Sequence, residues 1–243
     1  MIGPFSRPFS SRPPPLDKQR DMMILISATP SPFARKVRIS MLEKGIPFSL
    51  ENEIPWHADT MTVMHNPLEQ LPVLIPDDGH PVFESTYIMD WLEQRYPEPS
   101  MLPADPEAAL EAKLVQVIAE GVMDATVHLF WEMQRDHIST AWTLRQLRKV
   151  KGGLTDLDRR VADREFVIGD RFGLADIAVI SLLGMQDTVS ENGCIPLWQK
   201  FAPDIATWQE LYPNLNRFEA LHRDRPSVRS TAPFMFDLTE KIV

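Results

Sequence analysis

Ser27-Ala28-Thr29-Pro30-Ser31-Pro32-Phe33-Ala34-Arg35-Lys36-Val37-Arg38 reads as the passage of the chain from a strand into a helix. Directly before it, Met23-Ile24-Leu25-Ile26 is a short apolar run suited to a buried parallel strand. Ser31 is an N-cap residue, and Pro32 fits position N1, where its missing N–H has no helical partner to lose. From there Ala34, Val37 and Met41 recur on one helical face, and Gly45 ends a helix over 32–44. Arg35, Lys36 and Arg38 fall off that face and are expected to point outward.

Downstream, 48–54 reads as a half-exposed second strand, followed by a less regular stretch. Pro72-Val73-Leu74-Ile75, the turn Asp77-Asp78-Gly79 and Val82-Phe83 then form a hairpin. Ser85 is expected to cap a helix over 85–95 that stops before Pro97. The order β-α-β, irregular or helical, β-β-α defines a small α/β domain over 22–98. After Pro103 the pattern changes. Asp105-Pro106-Glu107 is a cap, a proline at N1 and a first-turn acid, and Leu110, Leu114, Val117, Gly121, Ala125 and His128 follow at helical spacing to about residue 135. A second helix is expected over 141–163, weakened or kinked at Gly152-Gly153 by about 1 kcal/mol per glycine. A third starts at Gly173 and another covers 205–223, with no strand of comparable strength and no internal repeat. The expected boundary is the proline-rich linker between Tyr96 and Asp105, ahead of an all-helical domain over 105–235.

Upstream, 1–21 holds five of the 22 prolines and no apolar period, and is read as a disordered tail. Arg7, Arg12, Lys18 and Arg20 against Asp17 and Asp21 give it +2 of the chain's −9, so the folded part carries −11. Pro13-Pro14-Pro15 argues against the amphipathic helix of a transit peptide. Met22 and Met23, where regular structure begins, are candidate starts. The 243 residues, 44% hydrophobic, suffice for a core without disulfides or a structural metal. The single Cys194 forbids an internal disulfide and any dithiol chemistry within the chain. With 25 Lys and Arg against 34 Asp and Glu, a nucleic-acid partner is not expected. No apolar run of about 18 residues is present, so no membrane span is expected. With no apolar leader region, the expected location is the cytoplasm. Histidines 57, 65, 80, 128, 137 and 222 show no metal-ligand spacing, and no metal is expected.

Four local signals stand in order along the chain: the 27–38 stretch; Asn66-Pro67-Leu68-Glu69-Gln70-Leu71-Pro72-Val73-Leu74; Glu84-Ser85 at a helix entrance; and Phe172-Gly173-Leu174-Ala175-Asp176-Ile177. Together they resemble the cytosolic glutathione transferase superfamily, in a bacterial, serine-dependent style nearest to zeta- and omega-like members. The resemblance covers about residues 22–235. It implies an α/β, thioredoxin-like N-terminal domain (βαβαββα) followed by an all-α domain. It further implies glutathione as co-substrate, a small hydrophobic electrophile as second substrate, and a homodimer.

Ser31 stands where the resemblance places the catalytic Ser or Cys, with Thr29 and Ser27 as alternatives because Pro30 and Pro32 leave the loop's path open. A hydroxyl there would donate to the glutathione sulfur and favour thiolate over thiol. Lowering a thiol from about 8.5 to about 6.5 takes roughly 2.7 kcal/mol. A hydrogen bond to a charged group contributes about 1.5–3 kcal/mol and a helix N-terminus about 0.3–1, so the two together suffice. Phe33 is implied beside it in the glutathione site. Leu71-Pro72 matches the family's cis-proline, with the Leu71 backbone meeting the cysteinyl part of glutathione as an added strand would. Gln70, where many relatives carry lysine, is left to bond the glycyl carboxylate without a charge. Ser85 is read as the site of the γ-glutamyl α-carboxylate, with Glu84 facing its ammonium.

Asp124, His128 and Trp131, at i, i+4 and i+7, are candidate second-substrate contacts, although plain packing explains such a stripe as well. His57 reads as a solvated loop residue. Asp176 reads as a folding residue, an acid at N3 bonding back to the Gly173 N–H, with Phe172 and Ile177 as a hydrophobic staple. Tyr87, Tyr96 and Tyr212 all lie far from the first strand, which excludes the tyrosine-dependent branch. A thiol oxidoreductase of the cysteine branch would need a cysteine where Ser31 stands. A glutathione-dependent isomerase and a glutathione-binding module without turnover stay open as alternatives.

Overall fold

The structure is a computed structural model that describes residues 22–55, 57 and 60–236; the tail over 1–21 lies outside the described residues. The first part runs β1 (Met23–Ser27), α1 (Pro32–Glu43), β2 (Phe48–Asn52), α2 (Thr62–His65), β3 (Val73–Ile75), β4 (Val82–Phe83) and α3 (Ser85–Arg95). This is the expected βαβαββα order, with the irregular stretch resolved into a single helical turn. The sheet order is β2-β1-β3-β4. β1 pairs parallel with β2, Leu25 opposite Leu50, and antiparallel with β3, Leu25 opposite Leu74.

Because successive strand residues point to opposite faces, the sheet buries two separate sets. Met23, Leu25, Leu74 and Val82 join the main core with Val37 and Met41 of α1 and Ile88 and Leu92 of α3. Ile24, Ile26, Val73 and Ile75 form a second, smaller cluster under Met61, Leu71 and Phe83.

The second part is helical: α4 (Pro106–Glu132), α5 (Thr140–Arg160), α6 (Leu174–Glu191), α7 (Cys194–Gln199), α8 (Trp208–Leu211), α9 (Pro213–His222) and α10 (Pro226–Arg229). No helix among the described residues is long and apolar enough to cross a membrane. The helix expected over 205–223 is two helices, since Pro213 has no N–H to give a preceding turn and instead opens α9. α5 runs through Gly152-Gly153 without a break. The reason for the glycine lies across the interface: a Cβ at Gly153 would sit 2.2 Å from Val122 Cγ2 of α4.

One sequence expectation about a helix face is corrected. Arg35, Lys36 and Arg38 are 4%, 0% and 5% exposed, not outward-facing. α1 lies between the sheet and the helical part, packed against α3, α6 and α10, so its polar side is covered as well as its apolar one. On α4 the reverse holds. Leu110, Leu114 and Val117 are 62%, 48% and 61% exposed, while Ala112, Val115, Ala119 and Val122 form the core side. α4 is apolar on both faces, and periodicity alone did not say which one packs.

Candidate active site

The site is built around the mouth of α1. Ser31 has extended backbone (φ −71°, ψ 117°), and its Oγ accepts from the Ala34 N–H at 3.2 Å. The cap uses one lone pair of the hydroxyl and leaves its O–H to donate elsewhere. Capping and thiolate stabilisation are therefore compatible in one side chain. Ser31 is half-buried and lines an apolar cavity of about 140 Å³ together with Phe33, Phe130, Trp131, Met185 and Phe236. Thr29 does not line it; its Oγ1 is buried and, like Ser27 Oγ, has no hydrogen-bond partner among the described residues.

The peptide Leu71–Pro72 is cis. It stands immediately before β3, with Leu71 half-buried and Gln70 exposed. The approach is held by Asn66, whose Nδ2 donates to the Gln70 carbonyl at 2.8 Å and whose Oδ1 accepts from the Leu68 N–H at 2.9 Å. Sequence reasoning missed Glu53. Its carboxylate accepts from the Met61 N–H at 2.6 Å and from Thr62 Oγ1 at 2.6 Å, fixing the start of α2. No local pattern announces a cap supplied from eight residues upstream.

At the entrance of α3 the expected cap is corrected. Glu84, not Ser85, is the N-cap: its carboxylate accepts from the Thr86 N–H at 3.1 Å and the Tyr87 N–H at 3.2 Å. Ser85 is the first helical residue, buried, with its Oγ donating to Glu84 Oε1 at 3.3 Å. Glu84 has φ +70°, a conformation that costs a non-glycine residue about 1–3 kcal/mol. The bonds its own side chain makes to the helix end offset part of that cost.

Between α1, α3 and α4 lies a polar network that the sequence did not disclose. Buried Lys36 pairs with Glu120, which also accepts from Thr86 Oγ1 at 2.9 Å and Gln116 Nε2 at 2.9 Å. Burial pulls the Lys36 ammonium below its ordinary value, while Glu120, Glu84 and Asp124 draw it back. Asp124 is thus placed near this network, and desolvation pushes its carboxyl up. His128 is exposed and meets Trp142 edge-on at 5.9 Å between ring centroids. Of the stripe 124, 128 and 131, the structure brings Trp131 to the cavity with Ser31, and Asp124 and His128 do not line it. His57 is exposed. Cys194 is buried at the start of α7, where burial pushes its thiol up. Among the described residues no group of three His, Cys, Asp or Glu side chains is placed to hold a metal ion.

This combination, a helix-capping hydroxyl after β1 and a cis-proline before β3 on a β2-β1-β3-β4 sheet followed by a helical half, defines a class. The family model of the glutathione S-transferase N-terminal domain matches residues 25–100 and that of the C-terminal domain matches 140–224. The chain belongs to the glutathione S-transferase family. It is 35% identical over 206 residues to the uncharacterised GST-like protein YibF of Escherichia coli, a match covering 84% of this chain and 98% of that one. A glutathione S-transferase of Methylobacterium radiotolerans, solved in complex with glutathione sulfonate, is 41% identical with a TM-score of 0.83 over 91% of this chain and 100% of its own. A second, from Methylobacillus flagellatus with glutathione bound, is 32% identical with a TM-score of 0.75, covering 87% of this chain and 99% of its own.

Proposed function

We propose that this protein is a glutathione transferase that joins the sulfur of glutathione to a small apolar electrophile. The observation that carries the reading is Ser31, which caps α1 with one lone pair and stands on the wall of an apolar cavity. In this reading a domain over 22–98 binds glutathione and one over 105–235 presents the second substrate. The Leu71 backbone beside cis-Pro72 meets the cysteinyl part, and Gln70 the glycyl end. Ser85 receives the γ-glutamyl carboxylate, Glu84 faces the ammonium, and Phe33 lies along the sulfur. The sulfur gives its proton to water. The thiolate, held by the Ser31 O–H and the N-terminal end of α1, then forms the new C–S bond, and the leaving group departs with its bonding pair. Catalysis comes from a lowered thiol pKa and from holding both reactants at one wall. Trp131 contacts the electrophile. The same reading makes the protein a cytoplasmic detoxification enzyme that works as a homodimer.

The test is a titration of bound glutathione by thiolate absorbance, with conjugation measured against aryl halides, epoxides and hydroperoxides. Ser31→Ala should raise the bound thiol pKa by about 1–2 units and lower kcat/KM at neutral pH about ten- to a hundredfold, the loss of one hydrogen bond to a charged group. The deficit should shrink as the pH passes the free thiol pKa. An unchanged pH profile would remove Ser31 from the chemistry. Glutathione binding without turnover on any electrophile would reduce the protein to a binding module.

A further inference from the structure

Arg35 leaves α1 one turn after Ser31 and is buried beneath the helical part. Its Nη1 donates to the Ile180 carbonyl of α6 at 3.0 Å, its Nη2 to the Val228 carbonyl of α10 at 3.3 Å, and its Nε to Thr231 Oγ1 at 3.5 Å. Thr231 Oγ1 in turn donates to the Ser227 carbonyl at 2.8 Å. The chain leaving α10 is thereby fastened before it continues to Met235 and Phe236, which line the cavity beside Ser31 and Phe33. One guanidinium so ties three walls of that cavity to each other: α1 with Phe33, α6 with Met185, and the segment 233–236. Gly184 makes the room for it. A Cβ there would lie 2.0 Å from Arg35 Nη1 and 3.1 Å from Pro233 Cγ.

We infer that Arg35 is a positioning residue for second-substrate selection: by clamping the segment 233–236 against α6 it makes Met235 and Phe236 a wall that admits only small apolar electrophiles. The inference rests on the glutathione-site reading above. Gln70, Leu71, Glu84 and Ser85 do not line this cavity, so the clamp acts on the electrophile's side of the site. No charged side chain lines it among the described residues, and a carboxylate or ammonium carried by the electrophile would be desolvated without an opposite charge. Met235 and Phe236 supply part of its apolar lining, so the bulk it accepts depends on where that segment is held.

Calorimetric titration of S-methylglutathione and S-(2-naphthylmethyl)glutathione into the full chain separates the two readings without turnover. The native protein should prefer the methyl derivative by about tenfold in Kd, the penalty of overpacking a formed cavity. Met235→Ala/Phe236→Ala should cut that preference by about fivefold or more. Gly184→Ala, whose methyl collides with the guanidinium and with Pro233, should move the preference in the same direction and leave the Kd of S-methylglutathione unchanged. A preference unaltered by the tail variant, or absent from the native protein, overturns the inference while the glutathione site stands. A preference that responds to the tail variant but not to Gly184→Ala overturns the role of Arg35. If the native protein binds neither compound, the glutathione-site reading falls and this inference with it.

Discussion

Asp176 shows how one residue serves two segments. Its Oδ2 accepts from the Gly173 N–H at 2.8 Å, the capping interaction expected from the spacing, and its Oδ1 accepts from the Val167 N–H at 2.8 Å. The second bond was not legible, because Val167 belongs to a loop brought back by the fold. Burial pushes the carboxyl from 3.8 up to about 6, against the pull of those two N–H groups. A carboxyl raised in the folded state holds its proton more tightly there than in the unfolded chain. Its contribution to stability is therefore complete below the unfolded value and is lost as pH rises through about 6, an effect of up to roughly 3 kcal/mol. In urea denaturation between pH 4 and pH 7, Asp176→Asn should flatten this fall, while destabilising the protein by about 1–3 kcal/mol because one buried N–H loses its acceptor. A slope identical to that of the native protein would mean that another group titrates. At Glu84 and Ser85 the sequence reading located the helix entrance but misassigned the cap. Both residues are capping types, and the choice turned on a backbone angle, φ +70° at Glu84, that composition does not reveal.

At the scale of elements, the pair Gly152-Gly153 separates propensity from packing. Nothing lies within 4 Å of a Cβ at Gly152, whereas a Cβ at Gly153 meets Val122 of α4 at 2.2 Å. Val122 is β-branched and stiff in a helix, so it cannot turn aside. Gly152→Ala should stabilise α5 by up to about 1 kcal/mol, and Gly153→Ala should destabilise the protein by about 1–3 kcal/mol despite the same gain in propensity. Thermal melts of the two single variants shifting in the same direction would refute the close α4–α5 approach. The sequence marks both glycines as breaks; the structure makes one of them a contact. α1 teaches the same lesson. Its caps and length follow from Ser31, Pro32 and Gly45, all local features. That Arg35 and Lys36 are buried follows from acceptors on α4, α6 and α10, which no window of helical periodicity contains, while Arg38 donates to the Thr29 carbonyl just ahead of α1.

At the scale of the molecule, one apolar core runs from Met23 in the sheet to Val228 in α10. The exposed line Leu110, Leu114 and Val117 is left over on α4, an apolar stripe of the kind that marks an interface. If it is the homodimer contact, Leu114→Glu combined with Val117→Lys should halve the mass seen by light scattering at micromolar concentration without unfolding the chain. A native protein that is already a monomer would refute the assembly. By itself the sequence determined the order of the elements, the hydroxyl at the mouth of α1, the hairpin and the change from sheet to helix after Pro103. Caps, turns and hydrophobic periods act over a few residues, and each is complete within its own stretch of chain. Only the tertiary structure decided which sides of α1 and α4 are covered, that Trp131 rather than His128 reaches the cavity, and that Met235 and Phe236 help to line it. Those outcomes depend on partners such as Glu120, Ile180 and Val228, which stand 84, 145 and 193 residues from the α1 side chains they bind. Burial and hydrogen bonding over such separations exist only once the chain has folded.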